Sequence, residues 1–309
     1  MIVTVTPNPS IDRTIHIDRL VRGGLIRAGE ATSEAAGKGL NVSRALVVQG
    51  VDTLAVVPVA RETASMYLGL LADEVPLAAV SVAGAVRTNI SLVEPDGTVT
   101  KVNEPGPQLE NPDVDAILVA IASAPAASWI VGCGSLPPGA PVDFFARLST
   151  LATTDRRIAV DSSGAALAEA AAAGVALIKP NVDELAAIVG RDLETLGDAI
   201  DAAQSLLGRG VGAILVSLGA DGAILVDGSG GATHAEARID DVANSVGAGD
   251  ALLAGFLASG ADAAALPKAI AWSIAAVRSP VTRMRPVGDA DRAAVVVHDH
   301  PDPNRRLPR

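Results

Sequence analysis

Residues 244–257 read Asn-Ser-Val-Gly-Ala-Gly-Asp-Ala-Leu-Leu-Ala-Gly-Phe-Leu, a glycine-spaced loop that opens directly into an apolar helix. Backbone N–H groups at the start of a helix have no partner inside it, so this loop predicts an anion-binding site. Gly247 and Gly249 let phosphate oxygens approach the main chain closely. Asp250 falls in the first helical turn, where it either caps the helix or acts as base for an incoming hydroxyl. The loop alone leaves both readings open.

On both sides of this loop, short β-rich runs alternate with alanine-rich stretches of helical length. The alternation predicts an α/β fold, with a parallel sheet covered by helices on both faces. Loops that follow parallel strands meet along one edge of the sheet, where ligands bind. The predicted strands are 2–6, 53–60, 129–132, 158–161, 175–179 and 213–217, and the predicted helices are 41–49, 62–74, 111–123, 141–153, 164–173, 182–189 and 195–208.

Two segments break this alternation. Residues 13–36 include a run of alternating polar and apolar residues, and residues 86–103 predict a hairpin whose turn contains Asp96-Gly97. A few strands are marginally stable alone, so this second sheet needs the core, a ligand or a second copy to pack on. The polar, proline-rich tail from His298 is expected to fray.

Composition sets the broad class. The chain has 309 residues, of which 49% are hydrophobic and 19% charged. A large core is therefore expected, in about two domains or one α/β domain with an appendage. A net charge of −11 argues against nucleic acid or an anionic membrane as partner, and an aromatic content of 2% argues against a base-stacking surface.

Several features favour a cytoplasmic protein. Cys133 is the single cysteine, so no internal disulfide is expected, and no Cys/His pair has zinc spacing. The first residues carry no basic leader. The longest charge-free stretch, 116–134, is broken by Pro125, which favours a helix followed by a buried strand over a membrane span.

Two further clusters carry polar residues at predicted helix starts. In Gly37-Lys38-Gly39-Leu40-Asn41 the glycines flank one lysine, which predicts either a flexible turn or a site where Lys38 and Asn41 hold a polyhydroxylated or phosphorylated ligand. In residues 179–184, Asn181 and Glu184 either form a capping box or help to hold hydrated Mg²⁺. Asp12 follows the first strand, which places it at the ligand edge or in an ordinary turn.

Two nucleotide-binding patterns are disfavoured. The P-loop sequence GxxxxGK[ST] does not occur. Residues 208–212 partly mimic a dinucleotide fingerprint, but they precede a predicted strand instead of following one, which argues against a nicotinamide dehydrogenase.

Taken in order, six motifs resemble the PfkB branch of the ribokinase-like sugar kinases, over about residues 4–285. Within that branch, three of the six are most similar to the 1-phosphofructokinases, with the tagatose-6-phosphate kinases next. The six are Thr-Pro-Asn-Pro-Ser-Ile-Asp at 6–12, Gly-Lys-Gly-Leu-Asn-Val-Ser at 37–43, Val-Asn-Glu-Pro-Gly-Pro at 102–107, Gly-Ser-Leu-Pro-Pro-Gly at 134–139, Lys-Pro-Asn-Val-Asp-Glu-Leu at 179–185 and Val-Gly-Ala-Gly-Asp at 246–250.

The resemblance implies a ribokinase-like three-layer α/β/α sandwich with a mostly parallel central sheet and a small β-sheet lid. The core would comprise residues 1–12, 37–86 and 104–309, and the lid residues 13–36 and 87–103, which in this family commonly pairs two subunits into a homodimer. The implied reaction is ATP- and Mg²⁺-dependent phosphorylation of a phosphosugar. Fructose 1-phosphate, giving fructose 1,6-bisphosphate, is the first expectation; tagatose 6-phosphate and fructose 6-phosphate are the alternatives.

The resemblance also implies residue roles. Asp250 would deprotonate the attacking sugar hydroxyl, and the N–H groups of Gly247, Ala248 and Gly249 would stabilise the developing charge. The sugar and its phosphate would be bound by Asp12, Gly37, Lys38, Gly39, Asn41, Arg87, Asn89, Ser135 and Arg27. The nucleotide would be bound by Lys179, Asn181, Glu184, Ser217, Gly219, Gly222 and Ser245, with Mg²⁺ held by Asn181 and Glu184 through water.

Some positions depart from the family pattern. Ala36 stands where the lid hinge usually has glycine, and Leu25 removes a frequent cation, which leaves Arg27 as its substitute. A monovalent-cation requirement stays open, with residues 279–282 as the neighbouring segment. A non-catalytic sugar-phosphate sensor is the alternative from another functional class.

Overall fold

The computed structural model describes residues 1–280 and 284–307, so Val281 and Thr282 of the segment considered for a monovalent cation lie outside the described residues. The strands are β1 Ile2–Val5, β2 Ser10–His16, β3 Ala31–Ala36, β4 Thr53–Ala60, β5 Leu77–Val82, β6 Arg87–Val93, β7 Val99–Asn103, β8 Trp129–Cys133, β9 Arg157–Asp161, β10 Leu177–Ile178, β11 Ala213–Ser217, β12 Ala223–Asp227, β13 Ala232–Ala237 and β14 Val295–His298. The α-helices are α1 Lys38–Val48, α2 Ala64–Leu71, α3 Asn111–Ala122, α4 Phe144–Arg147, α5 Gly164–Ala172, α6 Val182–Val189, α7 Leu196–Leu207, α8 Ala248–Ala258, α9 Leu266–Val277 and α10 Asp289–Ala293.

Ten strands form the main sheet, in the order β14-β13-β12-β11-β10-β9-β8-β1-β4-β5. The seven strands from β11 to β5 run parallel, and β12, β13 and β14 add antiparallel pairs at one side. Because side chains alternate across a strand, Ile2 enters the apolar cluster on one face while Val3 and Val5 enter the cluster on the other. Helices cover both faces, which confirms the predicted α/β class.

The second sheet has four strands in the order β3-β2-β6-β7. β6 and β7 form the predicted antiparallel hairpin, whose turn is closed by a 3.0 Å hydrogen bond from the Gly97 N–H to the carbonyl of Glu94. β2 pairs with β3 antiparallel and with β6 parallel. β2 begins at Ser10, so Asp12 lies on a strand of this small sheet and not in a loop of the main sheet.

The expectation that the tail frays is wrong for the described residues up to Leu307. The Leu196 N–H donates to the carbonyl of Arg305 at 2.8 Å, and Leu307 is buried. The Arg305 guanidinium forms ion pairs with Asp221 at 2.6 Å and Glu236 at 2.7 Å. These partners are distant in sequence, so the composition of the tail could not reveal them.

Some helices and strands differ from those that the local sequence predicts. The expected helix at 141–153 is the single turn α4 followed by a 3₁₀ segment, Leu148–Leu151. β5 and β13 were not predicted; β5 is rich in alanine, which does not favour strands. The charge-free stretch 116–134 contains the end of α3 and all of β8, as expected. No helix among the described residues is long and apolar enough to cross a membrane.

Candidate active site

The glycine loop leads into α8 at the carboxyl edge of the sheet. Gly247 precedes the helix with φ 81°, a left-handed conformation that favours glycine. Asp250 is the third residue of the helix and is only 7% exposed. Its carboxylate does not cap the helix: among described residues its one hydrogen bond comes from Asn41 Nδ2, 2.8 Å from Oδ2. The capping role is therefore excluded for Asp250, and its role as a base stays a prediction.

Two lysines and a second aspartate surround Asp250. Asp161 ends β9 and is fully buried. Its Oδ1 lies 3.0 Å from Lys38 Nζ, and its Oδ2 lies 3.0 Å from Lys179 Nζ. Burial would raise the pKa of Asp161, but the two lysines lower it below its ordinary value. Burial would lower the pKa of Lys38, yet Asp161 and Asp250 raise it, so the ammonium stays charged. Asp161 therefore holds two cations beside the loop.

The electrostatic surroundings of Asp250 suit a proton acceptor. Burial, and next the charge of Asp161, raise its pKa to about 6, against the opposing effects of Lys38, Asn41 and Lys179. A base with a pKa near 6 is ionised at neutral pH and still accepts a proton readily. Two negative charges near each other are tolerated here because two lysines accompany them.

The first turn of α8 also fits a phosphate. A Cβ added to Gly249 would lie 3.6 Å from Lys179 Nζ, so the missing side chain leaves the N-terminal turn open toward that ammonium. The unpaired N–H groups and the positive end of the helix dipole favour an anion at this point. The loop, Lys179 and Asp250 thus bring an open helix N-terminus, a cation and a buried carboxylate together.

The Gly37-Lys38-Gly39 segment is fixed by close packing against β1 and the residues after it. A Cβ on Gly37 or on Gly39 would collide with the side chain of Thr6, so neither position accepts a larger residue without movement. A Cβ on Gly134 would contact Lys38 at 3.8 Å. The turn is therefore tightly held, and it directs Lys38 to Asp161 while α1 carries Asn41 to Asp250.

On the small sheet, Asp12 and Asn89 face each other across β2 and β6. Asp12 Oδ1 accepts hydrogen bonds from Ser10 Oγ at 2.7 Å and from Asn89 Nδ2 at 3.0 Å. Arg87 donates to the carbonyls of Asn8 at 3.2 Å and Glu104 at 3.3 Å. Burial lowers the pKa of Arg87, and Asp12 opposes that shift.

Several buried polar atoms in this region lack a partner among the described residues. They are Arg87 Nε, Asn89 Oδ1, Asn8 Oδ1 and Thr6 Oγ1. Buried polar atoms in native proteins are nearly always satisfied, so a concentration of exceptions is typical of a ligand site. Asn8 Nδ2 donates to Ser135 Oγ at 3.2 Å, which links Ser135 to the same group although Ser135 itself is exposed.

The predicted nucleotide residues lie at the ends of β10 and β11. Asn181 and Glu184 form a capping box, with Glu184 N–H to Asn181 Oδ1 at 2.8 Å and Asn181 N–H to Glu184 Oε2 at 2.9 Å. Ser217 donates its N–H to the carbonyl of Pro180 at 3.0 Å. Gly219 and Gly222 both have positive φ, 62° and 81°, in the turn between β11 and β12.

Two predicted residues lie at the surface, although the carbonyl of Ser245 accepts the N–H of Ala248 at 3.5 Å. Arg27 is exposed in the segment between β2 and β3, and Ser245 is exposed before α8. Sequence reasoning also missed two residues that organise the site. Asp161 is the last residue of a predicted strand, and a carboxylate at the end of a buried strand is a usable signal. Arg44, which contacts Asn41, carried no signal beyond its presence in an apolar helix.

Comparison with known proteins places this arrangement in context. The sequence pattern of the "pfkB family carbohydrate kinase" matches residues 5–277. A 1-phosphofructokinase of Haloferax volcanii is 39% identical over 270 residues, which cover 84% of each chain. At the level of structure, phosphofructokinase-2 from Escherichia coli aligns with 94% of this chain and 96% of its own. Its complex with potassium gives a TM-score of 0.85 at 31% identity, and its complex with fructose-6-phosphate gives 0.84 at 30%.

A ribokinase from Thermotoga maritima shares the fold at greater distance. Its TM-score is 0.74 at 16% identity, with 95% of this chain and 98% of that chain covered. The ribokinase-like architecture expected from the sequence is thereby confirmed.

Proposed function

This chain belongs to the pfkB family of carbohydrate kinases, and from that membership we propose that it phosphorylates fructose 1-phosphate with ATP, giving fructose 1,6-bisphosphate and ADP. The observation that carries the proposal is Asp250: a buried carboxylate, with its pKa raised to about 6, next to a glycine loop and a lysine. The similarity to a 1-phosphofructokinase of Haloferax volcanii supports the choice of sugar.

The proposed transfer needs no covalent enzyme intermediate. Asp250 takes the proton from the attacking sugar hydroxyl, whose oxygen forms a bond to the γ-phosphorus while the bond from phosphorus to the ADP oxygen breaks. The N–H groups of residues 247–249 and the ammonium of Lys179 stabilise the charge on the moving phosphoryl group. Asn41 holds the carboxylate in place.

We propose that the sugar's existing phosphate lies near Lys38 and Arg87. Both are cations in a chain of net charge −11, and Arg87 Nε is buried with no partner among the described residues. Asp12, Asn41 and Asn89 then bind sugar hydroxyls, because amide and carboxylate groups complement hydroxyl donors and acceptors. This set of residues favours a phosphorylated sugar over a neutral one.

Hydrated Mg²⁺ fits beside Glu184. Oε2 of Glu184 and Oδ1 of Asn181 already accept backbone N–H groups, so direct ligation by both would break the capping box. Glu184 Oε1 is left to accept from water, which is how Mg²⁺ is commonly held beside phosphates. When bound, the metal supplies charge neutralisation for the nucleotide phosphates.

A second candidate sugar is fructose 6-phosphate. The complex of Escherichia coli phosphofructokinase-2 with fructose-6-phosphate, 30% identical to this chain, favours it. Tagatose 6-phosphate is the third. The three sugars differ in phosphate position and hydroxyl stereochemistry, and Leu25 and Arg27 lie in the segment that would meet them.

The deciding experiment measures ADP release with each of the three sugars at fixed ATP and Mg²⁺. We expect kcat/KM to be highest for fructose 1-phosphate. A higher value for another sugar overturns that assignment, and binding of all three without ADP release favours the sensor. The same assay with sodium in place of potassium tests whether activity requires a monovalent cation, which the sequence leaves open.

Arg87→Ala tests the sugar side separately. We expect the KM for the sugar phosphate to rise about 10- to 100-fold, as for loss of a charge-assisted hydrogen bond, while the KM for ATP changes little. Equal changes in both constants would contradict the placement of Arg87.

We also propose that the small sheet is a lid that joins two copies of the chain. The segment between β2 and β3 exposes Leu25 (82%) and Val21 (52%), and β7 exposes Val102 (52%); exposed apolar side chains gathered on one part of a protein are typical of an interaction surface. The double variant Leu25→Ser, Val102→Ser should therefore shift the mass measured by light scattering from dimer to monomer.

We further propose a cytoplasmic location, where ATP and sugar phosphates are available.

A further inference from the structure

Arg44 connects the catalytic carboxylate to the start of the small sheet. It lies in α1, one turn after Asn41, and is only 7% exposed. Its Nη1 donates to Asn41 Oδ1 at 3.4 Å, its Nη2 to the carbonyl of Ala35 at 2.7 Å, and its Nε to Glu74 Oε2 at 2.8 Å. The planar guanidinium is thus held at three points.

The contact with Asn41 selects the orientation of that amide. Asn41 presents its oxygen to the cation of Arg44, which leaves Nδ2 to donate to Asp250 at 2.8 Å. The reversed amide would place Oδ1 against the carboxylate and the NH₂ group against a guanidinium, and both contacts would be repulsive. Arg44 therefore controls a hydrogen bond that Asp250 receives without touching Asp250 itself.

The other contacts keep the guanidinium in place. Ala35 is fully buried near the end of β3, and Tyr67 from α2 donates its O–H to the next carbonyl, that of Ala36, at 3.4 Å. The same segment is where the small sheet joins the core. The Arg44 guanidinium therefore contacts this junction through Nη2 and Asn41 through Nη1.

We propose that Arg44 is a positioning residue for the phosphoryl-transfer step, which orients the Asn41 amide so that it donates to Asp250. The proposal rests on the proposed function, because it assigns Arg44 a part in setting up the base. It goes beyond a packing role, since packing alone would not depend on which way the amide points.

A hydrogen bond to the ionised carboxylate stabilises the charged form, so its loss raises the pKa of Asp250. The other charged groups that act on Asp250 are Asp161 on β9, Lys38 at the start of α1 and Lys179 after β10. None of these three contacts Arg44, so a change at Arg44 leaves their effects in place.

Arg44→Lys is the informative variant. Lysine keeps the positive charge and can still pair with Glu74, but a single ammonium on a shorter stem cannot also reach Ala35 and Asn41. We expect kcat to fall about 3- to 10-fold at neutral pH, with KM for ATP unchanged, and the acid limb of kcat/KM to move upward by about half a pH unit.

Glu74→Gln is the matched control. It weakens the ion pair on the far side of the guanidinium while leaving the contacts with Ala35 and Asn41 in place. The acid limb of its kcat/KM profile should coincide with that of the wild type, even if the variant melts at a different temperature. The proposal is overturned if the acid limb of the kcat/KM profile does not move in Arg44→Lys. It is also overturned if that limb moves equally in Glu74→Gln.

A second measurement needs no turnover. Carbon-13 NMR titration of the Asp250 carboxyl, assigned through Asp250→Asn, should give a higher pKa in Arg44→Lys than in the wild type or Glu74→Gln. If the sugar assays fail but this shift is found, the proposed function is wrong, while the orientation of the Asn41 amide by Arg44 toward Asp250 stands. If the pKa does not move, the positioning role is wrong even where the kinase assay succeeds.

Discussion

Asp250 and Asp291 occupy equivalent places in two helices. Each is the third residue after a glycine N-cap, Gly247 before α8 and Gly288 before α10. Both are buried, at 7% and 0% exposure. By local sequence alone, either could cap the first turn of its helix.

Their contacts differ completely. Asp291 accepts the N–H of its own N-cap Gly288 at 2.8 Å, two hydrogen bonds from Arg285 at 2.7 and 2.8 Å, and one from Arg278 at 2.7 Å. Burial would raise its pKa, but these donors lower it below the ordinary value. From the residues that the structure describes, Asp250 receives one hydrogen bond, and its pKa is raised.

The comparison shows what separates a structural carboxylate from a reactive one. A carboxylate with all its acceptor sites filled is a poor base, because protonation must first displace its donors. A buried carboxylate with one donor keeps lone pairs that can accept a proton. Its ionised form is also less stabilised by hydrogen bonds, so its pKa is higher. Both carboxylates are buried at the same helical position, so the groups around them distinguish the two sites: Asp291 meets two arginines and a backbone N–H, whereas Asp250 has one amide donor and lies near the negative charge of Asp161.

The largest expected effect is that of Asp250→Asn. Loss of the base should lower kcat by about 10²- to 10⁴-fold, the usual contribution of general-base catalysis. The free energy of unfolding at pH 8 should stay the same or increase, because a buried charge with a raised pKa is removed. Steady-state kinetics and urea unfolding measure the two quantities. Wild-type turnover in this variant would remove Asp250 from the mechanism.

Asp291→Asn should show the opposite pattern. It leaves two arginines without their buried acceptor, which should cost about 2–4 kcal/mol of stability; partial exposure of Arg285 keeps the loss below that of a fully buried pair. Urea unfolding measures the loss, and kcat should change far less than in Asp250→Asn. A collapse of kcat with unchanged stability would reverse the roles assigned to the two residues.

The two aspartates should also affect the protein in different pH ranges, Asp250 through activity and Asp291 through stability. Asp250 must be ionised to act, so kcat/KM should fall about tenfold per pH unit below its pKa of about 6. Asp291 has a folded pKa below the unfolded value of 3.8, so its stabilising contribution is present above that value and is lost as pH falls through the folded pKa. Between pH 5 and 6 activity should therefore decline in a fully folded protein. Unfolding that follows the same pH profile would contradict this separation.

The smallest effect is expected from Asp289→Ala. Asp289 is fully exposed in the first turn of α10 and pairs with Arg292 at 3.0 Å. Because the ion pair is exposed and the helix-dipole contact is screened by solvent, the free energy of unfolding should stay close to the wild-type value. Thermal unfolding checks this value. A larger change would show that the first turn of α10 contributes more than Asp291 alone.

Much of the fold was predictable because it is encoded locally. The strands beside the centre of the sheet, such as β8 and β9, are short apolar runs, and helices such as α3 and α7 begin with capping boxes. The hairpin of β6 and β7 was visible in its Asp96-Gly97 turn. The tail and β14 were not, because Arg305 finds Asp221 and Glu236 only after folding.

The site was predictable in part. The glycine loop, Lys38 and Asn41 carry recognisable spacing, and the structure brings them to one edge. The part played by Asp161 depends on two lysines that are 123 and 18 positions away in the chain. Arg44 acts through an amide whose orientation only the assembled contacts determine.

The sequence by itself determined the α/β class, the glycine-spaced loop before α8, and the family to which the chain belongs, because propensities, glycine spacing and motif order are local properties. Only the tertiary structure decided that, among the described residues, Asp250 receives a single hydrogen bond and has a raised pKa, whereas Asp291 is bound by two arginines and a backbone N–H. A carboxylate's pKa depends on burial and on donors that arrive from distant segments, and no local pattern contains that information.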